Sequence, residues 1–153
     1  MVAWYCRVIE SGADPIVELP LLIADLFEAA GAMRRRGDQI AAVAGQTQAR
    51  WQVLSVLSDG DWTVPKVARR LGVSRQAVQR IVDELRDDGL VGLNKNPDHE
   101  RSPLLHLTEH GSDALGLINT DARLWHARVA AGIAPGDLAI TRDVLRALIT
   151  AAG

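Results

Sequence analysis

The chain has 153 residues, enough for one domain and cramped for two. Hydrophobic residues make up 48% of it and charged ones 24%, the balance of an ordinary soluble globular protein, which excludes a disordered chain. Cys6 is the sole cysteine, which rules out an internal disulfide scaffold, and the net charge of −2 means that affinity for nucleic acid must come from locally clustered bases. A lone thiol fits a reducing compartment. The longest apolar stretch, Leu19 to Phe27, is interrupted by Asp25 and falls well short of a membrane span. The residues around Trp4, Tyr5 and Arg7 contain no apolar core of signal-peptide length. A cytoplasmic protein without membrane contact is therefore expected.

Residues 1–18, with Gly12, Asp14 and Pro15, show no clean period and are expected to be an irregular lead-in. From Leu19 the apolar series Leu22, Ile23, Leu26, Phe27, Ala30 and Met33 follows helical spacing, with Pro20 in a tolerant first turn. This helix is expected to run past Arg34-Arg35-Arg36 to Val43, with Gly37 a weak point and Gly45 a stop, so that 19–47 form one N-terminal helical unit. Gln48 to Leu57 reads as a second helix carrying Trp51, Leu54 and Leu57 on one side, ended by Asp59-Gly60. Thr63 then caps a short third helix with Val67, Ala68 and Leu71. Gly72 ends that helix, and Ser74 caps a fourth that reaches about Asp88.

After Gly89 the period changes. Leu90 to Leu93 and Leu104 to Leu107 read as strands joined by the polar stretch from Asn94 to Pro103, which makes a hairpin. Thr108 caps a long helix through Leu115, Ile118, Leu124, Trp125 and Val129, and Gly132 breaks it. Pro135 and Asp137 open a last helix with Leu138, Val144, Leu145, Leu148 and Ile149. The predicted fold is mainly α with a small β-hairpin: a winged helix-turn-helix core over 48–108, flanked by the helix of 19–47 and by helices over 109–153. Both flanks are rich in apolar residues that one small domain cannot cover, so two-fold pairing through them, a homodimer, is expected.

The informative stretch is Val67 to Leu85. Small Ala68 allows the third and fourth helices to cross closely, Gly72 permits the tight turn, and Val73 is expected to plug the space between them. Val78, Ile81, Val82 and Leu85 then face the core, which leaves Arg75, Gln76, Gln79 and Arg80 outward near the N-terminal end of the fourth helix. Arginine suits guanine and glutamine suits adenine in a major groove. Thr63, Ser74 and Lys95 join the candidate DNA-contact set. Between Thr63 and Arg101 there are eight Lys and Arg against six Asp and Glu, with Asp83, Glu84, Asp87 and Asp88 gathered at the far end of the helix. The rival reading of this architecture is a winged-helix protein-interaction module without specific DNA binding.

These stretches, with Asp88-Gly89-Leu90-Val91, Asn96-Pro97-Asp98-His99-Glu100-Arg101-Ser102 and Leu107-Thr108-Glu109-His110-Gly111, resemble the MarR family of transcriptional regulators. The resemblance implies a homodimer on double-stranded DNA at a pseudo-palindromic operator, acting as a repressor. It places Arg101 as the wing arginine that enters the minor groove. His99 and Glu100 stand where an aspartate and a base are commoner, with Asp98 a substitute for the usual aspartate–arginine brace. Family members often bind aromatic or phenolic effectors between the dimer helices and the winged domain. That implication selects Met33, Arg50, Trp51, Trp125 and His126, an arginine beside an aromatic wall; the competing assignment makes Trp51 and Trp125 core.

No catalytic constellation, nucleotide-binding glycine loop or cofactor motif is present, so an enzyme is not expected. His99, His106, His110 and His126 do not supply the roughly four converging ligands that zinc needs, and no metal is expected. Cys6 is either a redox sensor, as in some relatives, or a passive thiol. The run Arg34-Arg35-Arg36 is either a phosphate contact or a solvated helix face.

Overall fold

The computed structural model describes residues 14–97, 99 and 101–153. Cys6 and the first thirteen residues of the expected lead-in lie outside the described residues. The first helix starts earlier than its apolar period: α1 spans Pro15–Ala41. The Asp14 carboxylate accepts the Ile16 N–H at 3.0 Å, and Pro15, which has no N–H to satisfy, takes a first helical position. Pro20 consequently lies inside the helix rather than in its first turn. There it removes one backbone hydrogen bond, close to a helix start where water can replace it. Gly37 is no weak point. The helix runs straight through it, and a Cβ at Gly37 would stand 2.3 Å from the Gln48 side chain.

A 3₁₀ turn over Ala42–Ala44 and left-handed Gly45 end the α1 unit. Next come α2, Gln48–Leu57, and α3, Val64–Leu71. Between them Trp62 pairs with Leu105 through bonds of 2.6 and 3.2 Å. A single bridged residue therefore extends the two-stranded sheet at Leu105, which periodicity did not reveal. Gly72 closes α3 in the left-handed region at φ 67°, and the Val73 N–H reaches back to the Ala68 carbonyl at 3.1 Å. That turn swings Val73 outward, 47% exposed, instead of plugging the helix pair, and Val67, Ala68 and Val78 fill the interior.

The Ser74 hydroxyl accepts the Ala77 N–H at 3.1 Å and opens α4, Arg75–Asp87. Strands β1, Val91–Asn94, and β2, Leu104–Leu107, pair antiparallel in the register Val91 to Leu107 and Asn94 to Leu104. Thr108 caps α5, Glu109–Ala130, and after a turn at Gly132 α6 covers Pro135–Ala152. Val53, Leu54, Leu57, Val67, Val78, Val82, Leu85, Leu90, Leu105 and Leu115 form the winged core. Ile40, Ala41, Ile118 and Ala122 form a second cluster where α1 meets α5. No helix among the described residues is long and apolar enough to cross a membrane.

One junction ties the core to the C-terminal helices. The Leu90 carbonyl accepts the Thr108 N–H at 3.1 Å, and the Thr108 hydroxyl donates to the Gly89 carbonyl at 2.7 Å. Gly111 sits against the same carbonyl, where a Cβ would lie 2.0 Å from the Leu90 oxygen. We expect Gly111→Ala to destabilise the fold by about 1–3 kcal/mol through overpacking against backbone. That loss corresponds to a melting temperature lower by roughly 2–12 °C for a chain of this size. A variant that melts with the wild type would show that α5 can slide away from Leu90 without cost.

Candidate nucleic-acid interface

Helix α4 has one face in the core and one in solvent. Val78, Val82 and Leu85 are buried, while Arg75, Gln76, Gln79 and Arg80 are all exposed, as the helical phase required. Arg75, Gln76 and Gln79 line a cleft of about 340 Å³ together with Arg101 from the wing. The helix and hairpin thus bring three guanidinium groups, those of Arg75, Arg86 and Arg101, and two amides to a single opening. Arg75 and Arg101 form no ion pair among the described residues, so both retain donors for an acidic partner. Arg80 stands apart from this cleft, with its Nε 4.0 Å from the Glu84 carboxylate. Lys95 is exposed but borders a different hollow with Asn94, Pro97 and Pro103.

Thr63 does not fit the contact set as expected. It is 7% exposed and makes no capping hydrogen bond from its side chain, because it is enclosed between the Trp62 bridge and the start of α3. Arg86 was missed. It borders the Arg75 cleft, eleven residues along the same helical face, and sits 3.6 Å from Asp83. Asp83 also accepts from Gln79 Nε2 at 2.9 Å, so one carboxylate contacts two residues of the exposed face of α4.

The wing has a brace of its own. Buried Asn96 donates from Nδ2 to the Ser102 carbonyl at 2.7 Å, spanning the loop that presents Arg101. The Ser102 N–H bonds to the His99 carbonyl at 3.0 Å and the His99 N–H to the Asn96 carbonyl at 3.3 Å. Asp98 and Glu100, considered for the aspartate–arginine brace, lie outside the described residues. An amide two positions before Asp98 was the available signal.

A second cavity, about 540 Å³, opens between α1, α2 and α5. It gathers four of the five residues proposed for an effector: Met33, Trp51, Trp125 and His126. Arg50 does not join them. Neighbours on a helix point about 100° apart, and the Arg50 guanidinium turns the other way to pair with Asp88 at the end of α4. The cavity takes its positive charge from Arg36 and Arg70 instead. The Arg36 guanidinium carbon lies 5.9 Å from the Trp125 ring centre, within cation–π range, and its Nη1 donates to Gln39 at 3.0 Å. Its Nε is buried and without a hydrogen-bond partner among the described residues. Trp51 Nε1 is held by the Asn119 side-chain oxygen at 3.4 Å. No group of three or more His, Cys, Asp or Glu side chains that could hold a metal occurs among the described residues.

A model described as the MarR family matches residues 44–102, the end of the α1 unit through the wing. An uncharacterized protein of Mycobacterium tuberculosis is 52% identical over 134 residues, spanning 88% of this chain and 94% of its own length. An uncharacterized protein of Mycobacterium bovis matches to the same extent, 52% over 134 residues. Among solved structures, the M. tuberculosis transcriptional regulator MosR in complex with DNA has a TM-score of 0.72 at 28% identity, covering 85% of this chain and 94% of that one. A mutant of MarR from E. coli complexed with operator DNA has a TM-score of 0.76 at 20% identity, covering 89% and 99%, a likeness of fold.

Proposed function

The chain belongs to the MarR family of transcription regulators, which are not enzymes, and we propose that it works as a homodimer reading a pseudo-palindromic operator in double-stranded DNA. The observation that carries this reading is the single opening shared by Arg75, Gln76, Gln79 and Arg101. The helix supplies bidentate donors for base edges, and the wing supplies a cation for the neighbouring groove or phosphate. That MosR and a mutant of E. coli MarR form complexes with DNA supports DNA as the ligand here. With DNA as its ligand, the protein works in the cytoplasm.

Two-fold pairing is supported by the apolar side chains that the protomer leaves outside. Phe27 is 74% exposed and Ile149 72%, joined by Leu26, Leu117, Leu138 and Val144, and α6 has no buried residue at all. An apolar area of this kind marks a partner surface. Pairing through the terminal helices would set two α4 N-termini about 34–36 Å apart, one turn of DNA.

The second cavity supports a reading in which repression is relieved by a small ligand. Its volume lies within the range of small-molecule sites. Its indole walls with Arg36 and Arg70 favour a planar aromatic bearing a carboxylate or phenolate. Benzoate serves as a probe: it should quench tryptophan fluorescence and lower DNA affinity in parallel, and Arg36→Met should blunt both. Absence of quenching in the wild type at millimolar benzoate would refute the proposed ligand chemistry.

For DNA, Arg75→Ala and Arg80→Ala should each cost about 1–3 kcal/mol of specific binding and relax preference at one operator position. Arg101→Ala should weaken binding to every sequence and lower the slope of log affinity against log salt by about one. Wild-type binding by both helix variants, measured by fluorescence anisotropy, would leave the interaction-module reading in possession. Full-length protein should sediment as a dimer at micromolar concentration, and removal of 134–153 should give monomers or aggregates that lose operator specificity. A monomeric full-length protein defeats the two-fold scheme.

A further inference from the structure

Arg50 has a different use from the one its neighbour Trp51 implied. Its guanidinium leaves α2, crosses to α4 and pairs with Asp88, the residue that caps the recognition helix at its C-terminal end. The Arg50 side chain is only 16% exposed, and its Nε is buried without a hydrogen-bond partner among the described residues. Ion pairs between fully exposed side chains contribute little. An arginine enclosed to this degree depends on its one good partner.

The helix it starts from is itself held on other sides. The Gln48 N–H donates to Asp38 of α1 at 2.8 Å, and Trp51 Nε1 donates to Asn119 of α5 at 3.4 Å. Helix α2 is therefore a strut fixed between α1 and α5, and Arg50 is its arm to α4. The burial of Val78, Val82 and Leu85 holds α4 against the core, but apolar packing is non-directional and leaves tilt soft. A charged hydrogen bond at one end is directional. Helix α4 is about 20 Å long by its rise per residue, so a tilt that moves Asp88 by roughly 1 Å moves the Arg75 end by a comparable distance, enough to spoil a base-edge hydrogen bond.

We propose that Arg50 is a positioning residue for DNA reading: through Asp88 it sets the tilt of α4 and so the aim of Arg75, Gln76 and Gln79. The proposal rests on the DNA-reading function above. Since Trp51 lines the cavity and Arg50 is the next residue in the same turn, filling the cavity and aiming the helix act on one strut.

The test uses the full chain and the operator that the wild type selects from a random duplex library. Arg50→Met keeps the apolar stem of the arginine and removes its charge. Asp88→Asn, at an exposed position, alters no core packing and serves as the variant whose fold is secure. Each should reduce the ratio of operator to non-operator affinity by roughly two- to thirtyfold. The slope against salt should stay unchanged, because neither residue touches phosphate. The double variant should be no worse than the weaker single one, as expected of two halves of one bridge. Unchanged discrimination in Asp88→Asn, or independent losses that add in the double variant, overturns the proposal while leaving DNA reading intact. A wild type that selects no sequence overturns both.

Discussion

Ten residues of α2 must satisfy every neighbour of the winged core at once, and the rest of the molecule is arranged around that requirement. Val53, Leu54, Val56 and Leu57 are all buried, so the helix has little face left for solvent. Its polar groups are therefore committed as well: Gln48 to α1, Trp51 to α5 and Arg50 to α4. A short helix with so few turns could not stand alone; it acquires its place from these contacts and in return fixes the spacing of the elements that make them. Helix α4 and the cavity therefore share α2 as a common support.

Features governed by local chemistry were legible in the sequence. Ala68, Gly72 and Ser74 identified the turn, and the spacing of Val78, Ile81, Val82 and Leu85 placed Arg75, Gln76, Gln79 and Arg80 outward, because cap and helix phase depend on only a few consecutive residues. The start of α1 was missed because Asp14 and Pro15 act through capping before any apolar period begins. Trp62 was not recognised as part of the sheet, since a single bridged residue has no alternation to detect and owes its pairing to distant Leu105. Val73 misled for a related reason: its apolar character implied burial, but the left-handed glycine before it turns it away from the core.

In the candidate sites the divide falls between residues on one element and residues brought together from several. The outward face of α4 belongs to one helix and follows from its phase; its meeting with Arg101 across a loop was anticipated only through family likeness. The cavity arginine was assigned to Arg50 by adjacency to Trp51, whereas packing of α1 across α5 supplies Arg36 against Trp125. Adjacency along a helix separates side chains rather than pairing them. The run Arg34-Arg35-Arg36 shows the same lesson: Arg34 and Arg35 are exposed, while Arg36 is half-buried against the cavity.

The contact between Gly111 and the Leu90 carbonyl, with Thr108 bonded to the same oxygen, has a bearing on how such a chain can vary in length. Adding or removing a residue inside β1 or β2 would shift the register by one and turn every side chain to the other face, and it would carry Thr108 and Gly111 off Leu90. Within the hairpin, insertions are admissible only beyond the paired strands, in the loop between Asn94 and Leu104. The reach of the wing is thus a dimension of the hairpin that evolution, or an engineer, can lengthen without disturbing the paired strands.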